Sequence, residues 1–237
     1  MNYDALINYI HSTPLTWLIA TLAAFKLGII IYEKFNKHTL LQPIIIAYVI
    51  LLSLIIYTNT SFEEYFKSVE IIHFFLGPAT VALALPLYKN LSYVKTLFIP
   101  IALTLVIAGI FSVAIAVALL WIFGADLPTI LSMTTKSITA PIAIITSQQI
   151  GGIPSLAVGF VLITGIIGAL FGTIVFKLAR VKYETSKGFA LGLVSHGIGT
   201  ARAIEISEKA AAFGALAMGL SGIFTAIFLP MIITFFK

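Results

Sequence analysis

A chain of 237 residues that is 60% hydrophobic and only 10% charged cannot cover a water-exposed surface, since soluble domains carry about a quarter charged residues. Its mean hydropathy of +1.10, its many apolar runs and its lack of cysteine exclude a soluble globular domain, a disulfide scaffold and a thiolate metal site. The formal net charge of +5 would suit nucleic acid, but most of the cations sit in short loops, where they report orientation in a membrane, and no nucleic-acid partner is expected.

The opening stretch MNYDALINYIHSTPLTW lacks a basic leading region and a small-residue cleavage site, so no cleaved signal peptide is expected. Apolar segments follow at 14–31, 39–57, 71–88, 97–123, 127–149, 153–178, 187–209 and 212–236. Most are near the ~20 residues that a helix needs to cross ~30 Å of hydrocarbon. The expected architecture is an all-α polytopic membrane protein, one integral domain over 1–237. It divides into about three spans in 1–96, a helix plus a broken element in each of 97–152 and 153–209, and a last helix in 210–237. The polar connection TNTSFEEYFKSVE (58–70) reads as a surface loop. In HFFLGPATVALALPLYKN (73–90), Pro78 frees a carbonyl that could line a cavity, or it merely kinks a packing helix anchored by Tyr88 and Lys89.

Two segments depart from a plain spanning helix. LPTILSMTTKSITAPIAIITSQQIGG (127–152) carries Lys136 in a Ser/Thr-rich run closed by Pro141. KGFALGLVSHGIGTARAIEISEK (187–209) has Gly197 and Gly199 between His196 and Arg202. Proline removes a helix donor and glycine loosens the backbone, so both read as breaks near mid-membrane, which persist only where the freed backbone faces protein or water. A shift of 61 superposes Thr139-Ala140 on Thr200-Ala201 and Thr164 on Thr225, as copies of one unit would.

Charge orders the segments. Lys34 with Lys37, Lys89 with Lys95, and Lys177, Arg180, Lys182 and Lys187 form three basic loops, which the positive-inside rule assigns to the cytoplasm. The acidic 58–70 connection and the turn at Asp126 fit the outside. If 127–149 crossed fully, helix 153–178 would carry four cations out; as a re-entrant hairpin of two half-helices it lets the rule hold. The same logic makes 187–209 a hairpin entering from the cytoplasm, and the two helix-plus-hairpin units become inverted repeats, a recurring transporter architecture. About six spanning helices plus two re-entrant elements are expected; eight spans with crossing broken helices is the alternative.

A charge inside the bilayer costs ~2.5–3.5 kcal/mol on insertion scales, so such residues face a cavity or a partner. Lys136 has Ser137 and Thr139 beside it, and Arg202 has Ser195 and Thr200 nearby. With the amides of half-helix N-termini, these residues make a candidate cradle for a small carboxylate, which a guanidinium can hold bidentately. The candidate binding set is Lys136, Ser137, Thr139, Pro141, Ser195, His196, Gly197, Gly199, Thr200 and Arg202. Each has a blander reading: Arg202 and Glu205, three apart, could neutralise one another, and Lys136 could snorkel to an interface. His196 titrates near physiological pH and could couple protons, as could Glu205, or the imidazole could simply bond a backbone carbonyl. Gly165, Gly168, Ala169 and Gly172 read as close helix packing. No HExxH, GxSxG or glycine-rich phosphate loop occurs, so no enzyme, cofactor or metal site is expected.

The phrases PATVALALPLYKN (78–90), KSITAPIAI (136–144), IGGIPSL (150–156) and SHGIGTARAIE (195–205), in this order, resemble the LrgB/CidB family over nearly the whole chain. KSITA before the proline and TARA after the glycines look closer to the CidB branch. The resemblance implies a multi-pass protein of the bacterial cytoplasmic membrane. It offers an antiholin-like modulator of murein hydrolase activity and lysis beside a small LrgA/CidA-type membrane partner. It also offers transport, because a plastid relative carries glycolate and glycerate and bacterial members are linked to pyruvate uptake. The polar residues are gathered in two breaks rather than in one amphipathic pore helix, which favours an alternating-access carrier of small monocarboxylates, alone or as a homo-oligomer.

Overall fold

The computed structural model describes residues 14–36, 41–82 and 84–235; the opening stretch through Thr13 and the basic-loop residue Lys37 lie outside the described residues. The chain forms two compact units, Met1–Ala82 and Leu83–Lys237.

In the first unit, α1 (Pro14–Lys34) packs on α2 (Pro43–Thr58), and α3 (Phe62–Ser68) and α4 (Glu70–Ala82) follow. Gly28 lets α1 touch the backbone of Pro43, and Trp17 meets Tyr65 edge-on with centroids 5.5 Å apart. The 58–70 connection lies on the surface as expected, but it is not a loop: it contains α3. Its start is Ser61-Phe62-Glu63-Glu64, in which the Ser61 hydroxyl accepts from the Glu64 amide, so local capping forms a helix where polarity alone suggests a loop. Pro78 lies inside α4.

The second unit runs through α5 (Ala84–Lys89), α6 (Leu91–Thr96), α7 (Phe98–Ile122), α8 (Leu127–Met133), α9 (Ala140–Ile150), α10 (Pro154–Leu178), α11 (Glu184–Ile204) and α12 (Glu208–Phe235). Among the described residues, α1, α7, α10 and α12 are long and apolar enough to cross a membrane. At 16 residues, α2 is apolar but shorter. Most of each spanning segment faces outward from the protein, as lipid contact demands.

Both irregular segments double back. Asp126 caps α8, accepting from the Thr129 amide, and the chain then winds through bonds reaching three residues back, from Thr134, Thr135, Lys136 and Ile138. Pro141 occupies the first turn of α9, where its missing donor costs nothing, and Gly151 ends α9 at φ 90°. The Ser132 hydroxyl accepts from the Ile153 amide at 2.7 Å, so the far end of α9 has come back beside α8.

The second hairpin is tighter. Ser195 and His196 interrupt α11 with non-helical backbone, leaving half-helices 184–194 and 197–204. A Cβ on Gly199 would run into the Leu191 carbonyl, although residues eight apart stand ~12 Å apart along a straight helix. Ser207 donates to the Glu184 carboxylate at 2.9 Å, so the two ends of the element meet and the crossing alternative is excluded for it. Gly188 and Gly192 press on the backbone at Ala210 and Gly214 of α12, a contact any larger residue would block.

Lys89 pairs with Glu208 at 3.1 Å, and the Lys209 ammonium stands 4.7 Å from the Tyr93 ring centroid. The starts of α7, α11 and α12 therefore gather at one basic end. The chain leaves it along α7, turns through the α8–α9 hairpin and returns along α10, so α7 and α10 run in opposite senses and each is followed by a hairpin.

Candidate binding site at the chain breaks

Each hairpin tip rests near the middle of the long helix before it. At the first, the Lys136 ammonium donates to Ser112 Oγ of α7 at 2.8 Å and to Ser137 Oγ at 3.0 Å. Lys136 is buried at 8% exposure, and among the described residues no carboxylate lies within ion-pair distance of it. The alternative reading, in which Lys136 snorkels to an interface, does not fit a buried ammonium bonded to a helix midpoint. Ser112 and Ser137 both line a cavity of about 290 Å³ between α7 and α12, together with Thr134, Ser221 and Thr225. Each serine accepts from the ammonium and keeps its own O–H to donate, so the chamber wall presents two donors, with the cation directly behind them rather than in the wall itself.

The remaining first-break residues support that placement. Thr139 is the residue before α9, in extended conformation, and Pro141 sets the direction in which α9 leaves. Ile138 faces the core with Ala143, Ala157 and Val161, which anchors the tip against α10.

The second break is packed rather than open. His196 takes φ 42° and ψ −128°, a conformation suited to glycine, and its Nε2–H donates to the Val161 carbonyl at 3.0 Å. Thr200 donates to the His196 carbonyl at 2.8 Å, bracing the turn. The small residues of α10 receive this tip: Gly165 faces His196 and Ile198, and Gly168 faces the fully buried Ser195. Gly199 allows the two half-helices to touch, and Gly197 opens the second half-helix with open surroundings. Arg202 stands apart from the chamber: it is bonded to Glu205 across one turn, the pairing that their spacing suggests.

A second cavity of about 910 Å³ opens at the basic end between the start of α7 and the first half-helix of α11, with Tyr93, Lys182, Glu184 and Lys209 at its mouth. Neither cavity is lined by His196, Arg202 or Glu205. Sequence reasoning missed Ser112, Ser221 and Leu193. Ser112 left a signal, because it and Thr104 are the only hydroxyl-bearing residues of α7 and each lines one of the two cavities.

These features define a multi-pass membrane protein built from apolar spans and two doubled-back elements. The chain belongs to the LrgB-like family, which it matches over residues 21–235. It is 32% identical over 223 residues to an antiholin-like protein LrgB of Bacillus mycoides (strain KBAB4), covering 94% of this chain and 97% of that one. Equally named proteins of Bacillus cereus (strain B4264) and Bacillus anthracis (strain CDC 684 / NRRL 3495) are similar to the same degree, 32% over 223 residues. No solved structure matches the chain.

Proposed function

We propose that this protein carries small monocarboxylates, of the pyruvate, glycolate and glycerate class, across the bacterial cytoplasmic membrane by alternating access. The observation that carries the reading is the Lys136 ammonium, buried beside a chamber, held by two serine hydroxyls and lacking an anion among the described residues. An uncompensated charge in such a place costs several kcal/mol, and a substrate carboxylate is the partner that relieves it. The carboxylate would accept from the Ser112 and Ser137 hydroxyls and lie against the ammonium, and the apolar wall would hold its short carbon chain. The basic end faces the cytoplasm under the positive-inside rule.

The test is uptake of labelled pyruvate, glycolate and glycerate into proteoliposomes, with and without a small LrgA/CidA-type membrane protein. Saturable uptake that disappears in Lys136→Met supports the carrier; no saturable uptake of any of the three under either condition defeats it.

The name of the Bacillus relatives, antiholin-like protein LrgB, favours a second reading, an antiholin-like regulator, which we take to act beside that small partner. It expects a lysis phenotype that persists in Lys136→Met, whereas the carrier reading expects loss of function in the same variant.

A further inference from the structure

The two cavities lie end to end along one seam. On α7 the wall of the basic-end vestibule ends at Ala108 and that of the serine chamber begins at Leu105, so the two overlap within a single turn. On α12 the vestibule is lined at Lys209 and Phe213, and the chamber from Ser221 onward. Among the described residues, Leu193 alone lines both. Its side chain is only 3% exposed and sits in the apolar cluster with Ile101, Phe189, Phe213 and Ala217. It also stands two residues before Ser195, where α11 loses helical geometry.

We propose that Leu193 is the barrier a carboxylate must pass between the basic-end vestibule and the serine chamber beside Lys136. The inference rests on the carrier reading for its substrate, but the barrier itself is a property of the path. Leu193, packed with Ile101, Phe213 and Ala217, stands between two spaces that each contain polar groups, and an anion cannot enter a dry apolar constriction without losing its hydration. The Ser195-His196 turn, two residues on, is a place where a change of backbone torsion would loosen the packing around Leu193 while Gly188 and Gly192 keep the first half-helix seated on α12. A hydrophobic plug at a hinge is what alternating access needs on its inner side.

The test exploits the absence of native cysteine. Single cysteines are placed in the chamber (Val113→Cys) and in the vestibule (Thr104→Cys), in vesicles exposing the basic end. The negatively charged reagent sulfonatoethyl methanethiosulfonate is then added from that side. Thr104→Cys should react quickly whatever occupies position 193. Val113→Cys should react slowly with Leu193 present and at least ~10-fold faster with Leu193→Ala, the ratio for a barrier lowered by about 1.4 kcal/mol. Equal rates for Val113→Cys in the two backgrounds, with Thr104→Cys still reactive, overturn the barrier. Should Leu193→Ala fail to fold, Leu193→Val is used, with a smaller acceleration supporting the barrier and none rejecting it. These rates need no substrate, so a failed uptake assay with accelerated labelling would sink the carrier and spare the barrier, while intact uptake without acceleration would do the reverse.

Discussion

The Lys136 ammonium stands 2.8 Å from the Ser112 hydroxyl, joining the tip of the first hairpin to the middle of the spanning helix that precedes it. One hydrogen bond thus fixes the depth of a cation behind a serine that lines the chamber. Removing the hydroxyl should leave the fold and weaken the hold on a carboxylate. A hydrogen bond to a charged group contributes about 1.5–3 kcal/mol, so Ser112→Ala should raise the half-saturation constant for uptake at least ~10-fold. Uptake kinetics against substrate concentration check this; an unchanged constant would show that Ser112 serves Lys136 alone.

At the second hairpin, His196 occupies a glycine-like backbone conformation while its ring bonds Val161. His196→Ala loses the ring contact and keeps the strained backbone, whereas His196→Gly loses the contact and relieves the strain. Such strain costs about 1–3 kcal/mol, so the glycine variant should be the more stable of the two by roughly that amount. Thermal unfolding of both variants in one detergent measures it, and an alanine variant equal to or above the glycine variant would contradict the strain.

Gly168 is the floor on which Ser195 rests. A methyl group there collides with the serine hydroxyl, and overpacking of this kind costs about 1–3 kcal/mol. Gly168→Ala should therefore lower the melting temperature, and Gly168→Ala with Ser195→Ala should recover part of the loss, because the closest clashing atom is gone. A double-mutant cycle on melting temperatures gives the coupling, and strict additivity would mean that the two residues do not share this contact.

Arg202 and Glu205 neutralise one another at the second half-helix, and neither lines the described cavities. With Glu205 partly exposed, their pair contributes about 0–1 kcal/mol, so Arg202→Ala should change uptake by less than ~5-fold. Lys136→Met should abolish it. Side-by-side uptake at equal protein incorporation decides, and a loss in Arg202→Ala as complete as in Lys136→Met would return Arg202 to the substrate path.

The doubled-back elements were readable in the residues themselves. Pro141, Gly197 and Gly199 weaken a helix wherever they occur, and the cations of 177–187 favour a hairpin before them under the orientation rule. Crossing broken helices stay open as the alternative until the ends of the elements are seen to meet. The ion pair of Arg202 and Glu205 was equally local, since three residues of helix bring the two together in any fold. The capped helix at 62–68 was also written in Ser61 and Glu64, beneath a composition that suggests a loop.

What residue order determined by itself is the solvent of each segment and where each helix breaks, because insertion cost and backbone propensity act one segment at a time. Tertiary structure decided which polar groups meet. In lipid a helix such as α7 is apolar almost all round, so its two hydroxyls hint at inward positions without naming a partner, and only packing turned Ser112 towards Lys136 and set Leu193 against two cavities.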